Sequence, residues 1–418
     1  MLRLVSLLLA SVLLLSCGPP ERDPNVVEFW TLQLSPTFDD YINGMIEVFE
    51  AENPGIMIRW VDVPYNGITQ KFLSAIASGQ APDVVNLPAD FVAKYVGLGA
   101  LTPLDTLLSE TVEASYLPAA NQPLYVDDGW YGVPWYLSTS ILIYDRAKLT
   151  TAGFNPDTPP ETYANLLDLA RDYAEATGDY AFFYNLVIDS YLIEVLEAEG
   201  IPVVSEDGTQ ALFNKPEAVA IIEDWVAAFQ AGSMPRESIS QDHSAALRLY
   251  QSGTIAMFIG GPQFLRIVNE NAPNLYATTD VAPAITGITG KKNLAVMSLV
   301  VCARTANPNM AAKFAAFVTN ADNQLAFSRI VPIYPSVTAA LSDPYFAEHD
   351  STLEARARVI GAQQLYDAEV LKPSLNNYNR MKERLKVHLL RAFQGTRTVE
   401  EALDAAARDW DKILAENW

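Results

Sequence analysis

The chain has 418 residues, with 28 Lys and Arg against 50 Asp and Glu and a formal net charge of −22. That balance excludes nucleic-acid binding, which needs clustered cations to displace counterions from phosphate, and it excludes adhesion by charge to an anionic membrane. Half of the residues are hydrophobic, so the chain is globular, and its length exceeds the ~250–300 residues that one core serves, which predicts two lobes.

The chain opens MLRLVSLLLASVLLLSCGPPERDPN, with the cation Arg3 ahead of an apolar run from Leu4 to Leu15. The run is shorter than the ~20 apolar residues of a membrane-spanning helix and reads as a secretory signal over residues 1–16. Leu14, Leu15 and Ser16 before Cys17 resemble the lipobox of bacterial lipoproteins, which implies lipid attachment at Cys17. The polar, proline-rich stretch 17–25 is a tether. The second cysteine, Cys302, lies in the apolar run LVVCAR and is expected in the core, as free cysteine commonly is.

From Val26 the pattern alternates. VVEFW is a strand; Phe38, Ile42, Met45, Ile46 and Phe49 follow at helical spacing, closed by Asn-Pro-Gly; IMIRWVDV is a second strand and ITQKFLSAIASG a second helix. PDVVNL is a third strand and ADFVAKYVGLG a short helix, so the order predicts a parallel sheet with helices on its faces. Asp-Asp-Gly in LYVDDGWYGVPWY marks a hairpin turn. VPWYLSTSILIYD (133–145) then changes from aromatic and polar to apolar halfway along, as a strand passing from a cleft into a second core would. TPPETYANLLDLARDYAEATG predicts a helix with a Thr158–Glu161 capping box, and NKPEAVAIIEDWVAAFQAG a helix capped by Asn214. HSAALRLYQSG is helical, TIAMFIGGPQFLRIVNE runs strand, Gly-Gly-Pro, helix, and KKNLAVMSLVVCAR is a strand returning across the molecule. Two further helices, the proline-containing VPIYPSV and three closing helical stretches complete the chain.

Taken in order, EFW, FEAENPGI, SAIASGQAPDVV, GVPW, LIYDRAKLTTAGF, TPPETYANLLDLA, FNKPEAVAIIEDW, SGTIAMFIGGP, ANPNMAAKFAAFVTN and QGTRTVEEALDAA resemble the extracellular solute-binding proteins of ABC importers, in the group that takes sugars and glycerol phosphates. The resemblance implies an α/β fold of the two-lobed periplasmic-binding-protein kind (type II-like), with a hinge of crossing segments. It implies one lobe of 26–137 plus 296–333 and another of 138–295 plus 334–418. VPWYLSTSILIYD, KNLAVMSLVV and VPIYPSV would then be the three crossings. It further implies capture of a small solute between the lobes by a monomer, delivery to permease subunits served by a cytoplasmic ATPase, and an extracytoplasmic, lipid-anchored location facing periplasm or cell exterior.

A neutral sugar needs flat rings over its C–H faces and amides or hydroxyls for its own hydroxyls, because an unpaired buried hydroxyl costs ~1–3 kcal/mol. Candidate platforms are Trp30, Tyr65, Trp135, Tyr136, Tyr184 and Tyr334, with Met297 on the second crossing. Candidate hydrogen-bonding residues are Asn66, Asn86, Ser138, Asn185, Gln263 and Asn377, and Gly261 would let backbone approach a ligand at a helix start. Trp135 is the first choice among the rings, since proline-flanked aromatics at a crossing have little core to fill; Trp60 and Trp225 are assigned to the core.

No catalytic residues, metal ligands or cofactors are expected. His243, His349 and His388 stand at no ligand spacing, and there is no Walker loop, GxSxG or GxGxxG. SLNNYN (374–379) places amides where a phosphodiester ligand would call for arginine. A polyamine or metal ion, held by Asp90 and Asp189, is the alternative ligand on the same fold, with a glycerol phosphodiester or other small solute beside it. A secreted glycoside hydrolase, needing two carboxylates astride the bond, is the remote alternative.

Overall fold

The computed structural model describes residues 23–188, 191–348, 350–373, 375 and 377–416. The signal 1–16, Cys17, most of the tether, Asp189 and His349 lie outside them. Thirteen strands appear among the described residues: β1 (Val26–Leu32), β2 (Met57–Val63), β3 (Val84–Pro88), β4 (Tyr125–Val126), β5 (Gly129–Trp130), β6 (Val133–Thr139), β7 (Ile141–Asp145), β8 (Tyr180–Phe183), β9 (Ile255–Gly260), β10 (Thr279–Pro283), β11 (Lys292–Val301), β12 (Tyr334–Pro335) and β13 (Ala368–Glu369). One sheet has the order β12-β6-β11-β3-β1-β2, with β13 on the first residues of β11; a second has the order β10-β7-β9-β8; β4 and β5 form the expected hairpin.

The first sheet is parallel where strands and helices alternate, β1 beside β2 and β3, and antiparallel where β11 returns between β3 and β6. β3 is buried along its whole length, as a central strand covered on both faces must be. Ile42, Met45, Ile46 and Phe49 of the helix Asp39–Glu52 seal one side of its core. Phe314 of the helix Pro308–Val318 and Phe327 of the helix Ala321–Ile330 add to it, although they come from late in the chain. A second core gathers Phe182, Trp225, Leu389 and Trp410 on one side of the four-stranded sheet, and a smaller cluster around Ile141, Tyr250 and Phe258 covers the other. Cys302 is buried in the first core.

Ser140 is the single residue between β6 in the first sheet and β7 in the second. VPWYLSTSILIYD is therefore a crossing, and Ile141 to Ile143 do enter the second lobe. The third crossing differs from expectation. Tyr334, Val337, Leu341 and Phe346 all pack in the first core, so residues 334–346, expected in the second lobe, belong with the first. The helix Leu353–Gln364 spans both lobes, with Ala357 in the small second-lobe cluster and Ala362 in the first core, and the chain leaves the first core between Ala368 and Leu371. Gly361 is required on this helix because a Cβ there would meet the Tyr334 hydroxyl at 1.9 Å.

Two helix starts also differ. The helix Tyr163–Thr177 begins after Glu161 and is capped by Thr162, whose hydroxyl accepts from Asn165 N at 3.2 Å; the two prolines hold the chain extended ahead of it, and no Thr158–Glu161 box forms. Asn214 does not cap the helix Pro216–Gln230. Its Nδ2 donates to Asp404 Oδ1 at 2.8 Å, tying this helix to the last one, and Pro216 at the helix start removes an N–H that would need capping.

Candidate functional site

In open sheets with parallel strands, ligands bind beyond the carboxyl ends of the strands. Here β1, β2 and β3 end together, leading to Gln33, to Tyr65 and Asn66, and to Asp90. The second sheet presents the parallel ends of β8 and β9, followed by Asn185 and by Gly261 and Gln263. Between the lobes, Asp90, Phe91 and Lys94 of the first and Leu375, Asn377, Tyr378, Asn379 and Arg380 of the second line a cavity of about 220 Å³.

The exposed face of the first sheet is set by strand register. Met297 pairs with Tyr136 and Ala295 with Ser138, and all four are at least partly exposed while their neighbours Val296 and Leu137 are buried. The Tyr136 ring stands edge-on to Phe327 at 5.6 Å. Its hydroxyl is pushed well above the ordinary phenol value, by burial first and then by Tyr65 and Asp62 nearby. Asp62 accepts from the Thr31 hydroxyl at 2.6 Å and from Leu34 N at 3.0 Å, which fixes the loop after β1. In that loop Gln33 holds a left-handed φ of 54°, a conformation that non-glycine residues adopt mainly where surrounding structure imposes it.

Charge alternates across the gap. Burial raises the Asp90 carboxyl above its ordinary value, although Lys372 and Lys382 pull it down. Tyr65 is likewise raised by burial and by Asp90, and lowered by Lys372. On the second lobe Lys372 Nζ lies 3.0 Å from Glu194 Oε1 and 5.6 Å from the Tyr191 ring, and Glu194 raises its pKa. Glu194 Oε2 in turn accepts from Asn293 Nδ2 at 2.9 Å, and Asn293 Oδ1 accepts from Leu371 N at 3.2 Å. Arg380 is tied to Glu416 by two hydrogen bonds.

Of the residues expected from sequence, Asn377 lines the cavity; Tyr65, Asn66, Gly261 and Gln263 follow the strand ends, and Tyr136, Ser138 and Met297 are at least partly exposed on the first sheet. Six others are packed away. Trp135 is fully buried, 6.1 Å from Phe29 and stacked 5.6 Å from Phe327. The register shift between Met297 and Ser298 leaves Trp135 as the extra residue of a bulge, and a bulge re-aims side chains. Trp30 lies 6.5 Å from Phe72 in the first core, with its Nε1 donating to Glu28. Asn86 sits inside the first sheet, donating to Ser298 O. Tyr184 stacks on Trp225 at 5.2 Å, and Tyr334 packs against Phe346. Asn185 is also buried. Sequence reasoning missed Lys372, Glu194, Tyr191 and Tyr378. The segment KPSLNNYN carries the only signal for them, a lysine and a tyrosine bracketing the amides. Among the described residues no group of three or more His, Cys, Asp and Glu could hold a metal ion, and no helix is long and apolar enough to cross a membrane.

The chain spans 66% of the length of candidate binding proteins from Brucella abortus, with which it is 24% identical over 273 residues, 64% of its own length. It is 24% identical over 415 residues to a galactooligosaccharide-binding protein of Bacillus subtilis, covering 95% of this chain and 93% of that one. A crystal structure of a candidate oligosaccharide periplasmic-binding protein from Synechococcus sp. MITs9220 superimposes with a TM-score of 0.86 at 31% identity, covering 94% of this chain and all of that one. Its two-lobed α/β architecture is the one described above. The family model for bacterial extracellular solute-binding proteins matches residues 35–325, and the chain belongs to that family.

Proposed function

We propose that this protein is the receptor of an ABC importer and captures an uncharged carbohydrate, a mono- or oligosaccharide or polyol, between its two lobes. The carrying observation is the lining of the interlobe cavity. It offers rings (Phe91, Tyr378), amides (Asn377, Asn379), one carboxylate, Asp90, and one ammonium, Lys94, while its Arg380 is already paired with Glu416. A phosphate or carboxylate ligand would want a free bidentate arginine there. Sugar hydroxyls instead need an acceptor such as Asp90 and the donors and acceptors of the amides, with ring faces against C–H surfaces. The carbohydrates named for the relatives from Bacillus subtilis and Synechococcus agree with this chemistry. No covalent step is assigned to the site: it holds a ligand, and the closed form presents it to a permease.

The apolar run before Cys17 supports removal of residues 1–16 and lipid attachment at Cys17, with the receptor outside the cytoplasm. Intact-mass measurement on the native protein is expected to show an N-terminal diacylglyceryl-cysteine, and a mass matching an unmodified Met1 would rule it out.

The ligand class is tested by calorimetry of the purified protein against a panel of mono- and oligosaccharides. One member should bind with 1:1 stoichiometry and raise the melting temperature, since a ligand at 100 times its Kd adds ~2.7 kcal/mol to the native state. A well-folded protein that binds no saccharide of the panel overturns the carbohydrate reading.

A further inference from the structure

We propose that Glu194, Asn293 and Lys372 form a clasp at the hinge, which joins the second and third crossings into one strip and fixes that strip to the second lobe. The clasp limits how far the lobes stand open before any ligand enters, and Asn293 is its central positioning residue.

Two of the three residues stand where the chain changes lobes. Ile285 packs in the second core and Leu294 in the first, so Asn293 is the last residue of the second crossing before the chain enters the first lobe. Ala368 packs in the first core and Leu371 in the second, so Lys372 directly follows the third crossing. These two crossings lie side by side, with Lys292 paired to Ala368 and Asn293 to Glu369 in a parallel ladder. Leu294 pairs with Thr139 of the first crossing. Neighbouring strands are ~4.7–4.9 Å apart, so all three crossings fit within roughly 10 Å.

A ladder this short holds two strands together only marginally, and side chains supply the rest. Asn293 Oδ1 accepts from Leu371 N at 3.2 Å, and Asn293 Nδ2 donates to Glu194 Oε2 at 2.9 Å. Lys372 Nζ lies 3.0 Å from Glu194 Oε1. Glu194 belongs to the helix Leu192–Ala198, whose Leu192, Ile193, Val195 and Leu196 pack in the second core. One carboxylate of the second lobe therefore grips the second crossing through Asn293 and the third through Lys372. At 6% exposure it needs both partners. These contacts are directional, whereas apolar packing is not, so they fix the register of the two crossings. The Lys291–Glu369 pair at 2.6 Å bridges the same two strands from the exposed side, where an ion pair adds little. With the clasp in place the two crossings bend as one unit; without it each bends separately and the lobes open wider.

The test uses the ligand-free full-length protein and three variants. Asn293→Leu keeps the volume and removes both amide contacts. Glu194→Gln/Lys372→Met removes the ion pair without leaving a buried charge, so it keeps the measurement possible if Asn293→Leu does not fold. Lys291→Ala breaks only the exposed pair. Hydrogen exchange at Leu371 should be at least about tenfold faster in Asn293→Leu, as expected for losing one hydrogen bond. Small-angle scattering should give both clasp variants a larger radius of gyration than wild type, and Lys291→Ala the wild-type radius. Exchange in β3 and β9, inner strands of the two sheets, should stay at wild-type rates, which separates a loosened hinge from a loosened core. A merely structural role would lower the melting temperature and leave the radius unchanged. Folded clasp variants with the wild-type radius, or Lys291→Ala protein enlarged as much as they are, overturn the assignment. Loss of folding in both clasp variants would assign the trio to the stability of the second lobe and overturn the hinge role too. No sugar enters the test, so the saccharide panel on wild type reports on the carbohydrate reading separately.

Discussion

Asp90 is under two opposed demands. Its carboxylate is placed to accept ligand hydroxyls, and its burial disfavours the charge that makes it a good acceptor. A raised carboxyl pKa means that the folded state binds a proton more readily than the unfolded chain does. The charged form then subtracts from stability at every pH above the folded-state value, and the penalty vanishes once pH drops below the unfolded value of ~3.9. Asp90→Asn should therefore raise the melting temperature at pH 7 and leave it nearly unchanged at pH 3. It should weaken sugar binding about ten- to hundredfold, as expected for losing a hydrogen bond to a charged acceptor worth ~1.5–3 kcal/mol. Calorimetric melting at the two pH values, with titration of the bound sugar, checks both signs. A lower melting temperature at pH 7 would show that the carboxylate serves the fold instead. At this scale the sequence was a partial guide. Strand alternation exposes Tyr136 and Ser138 and turns Trp135, with Leu137, to the buried side, so both rings of the Trp–Tyr pair could not face the cleft. The ring that covers Trp135, Phe327, lies nearly two hundred residues away in the chain, and no local pattern shows that packing.

Among elements, the helix Leu353–Gln364 holds the hinge. Its last residue, Gln364, is 5% exposed. Nε2 donates to the carbonyl of Ser140 at 3.1 Å, and Oε1 accepts from Ala284 N at 2.5 Å. Ser140 is the break between β6 and β7, and Ala284 follows β10 just before the chain turns back into β11. One amide at the end of this helix thus ties the first crossing to the end of β10. Gln364→Leu keeps the volume but leaves a buried N–H and a buried C=O without this partner, at ~1–3 kcal/mol each. The expected result is a melting temperature lower by several degrees. Sugar affinity should change as well, although Gln364 lies off the cavity, because the hinge sets the balance of open and closed forms. An unchanged melting temperature and affinity would mean that the crossings move independently of this side chain. The strands and long helices that lead to the hinge were legible, because their periodicity is strong and glycines such as Gly178 and Gly232 close them with positive φ. The caps were less so: Thr158 and Thr162 both precede an acid or amide three residues on, and the prolines decide between them.

For the whole molecule the decisive property is that two cores are sealed separately, with the described chain passing between them near Ser140, ahead of β11 and over residues 346–371. The order of landmarks along the chain pointed to two lobes and to a crossing within VPWYLSTSILIYD, with the boundary placed between 137 and 138, whereas the strands break at Ser140. It misplaced the third crossing because VPIYPSV looks like a linker, whereas its Tyr334 and Val337 plug the first core. Separate cores allow rigid-body closure, with the hinge absorbing the motion, and closure is how a site so polar excludes water from ligand hydroxyls. A compact body of this length would have a radius of gyration of about 22 Å. The ligand-free receptor should scatter X-rays as a somewhat larger particle, and saturating sugar should draw the radius down toward that value. Asp90→Asn at sugar concentrations far below its weakened Kd should keep the larger radius, then contract at saturation, because the substitution removes an anchor and leaves the hinge intact. Gln364→Leu should differ in the ligand-free radius itself. Identical profiles with and without a sugar that calorimetry shows to be bound would mean that the lobes do not swing, and that the cavity is a fixed groove.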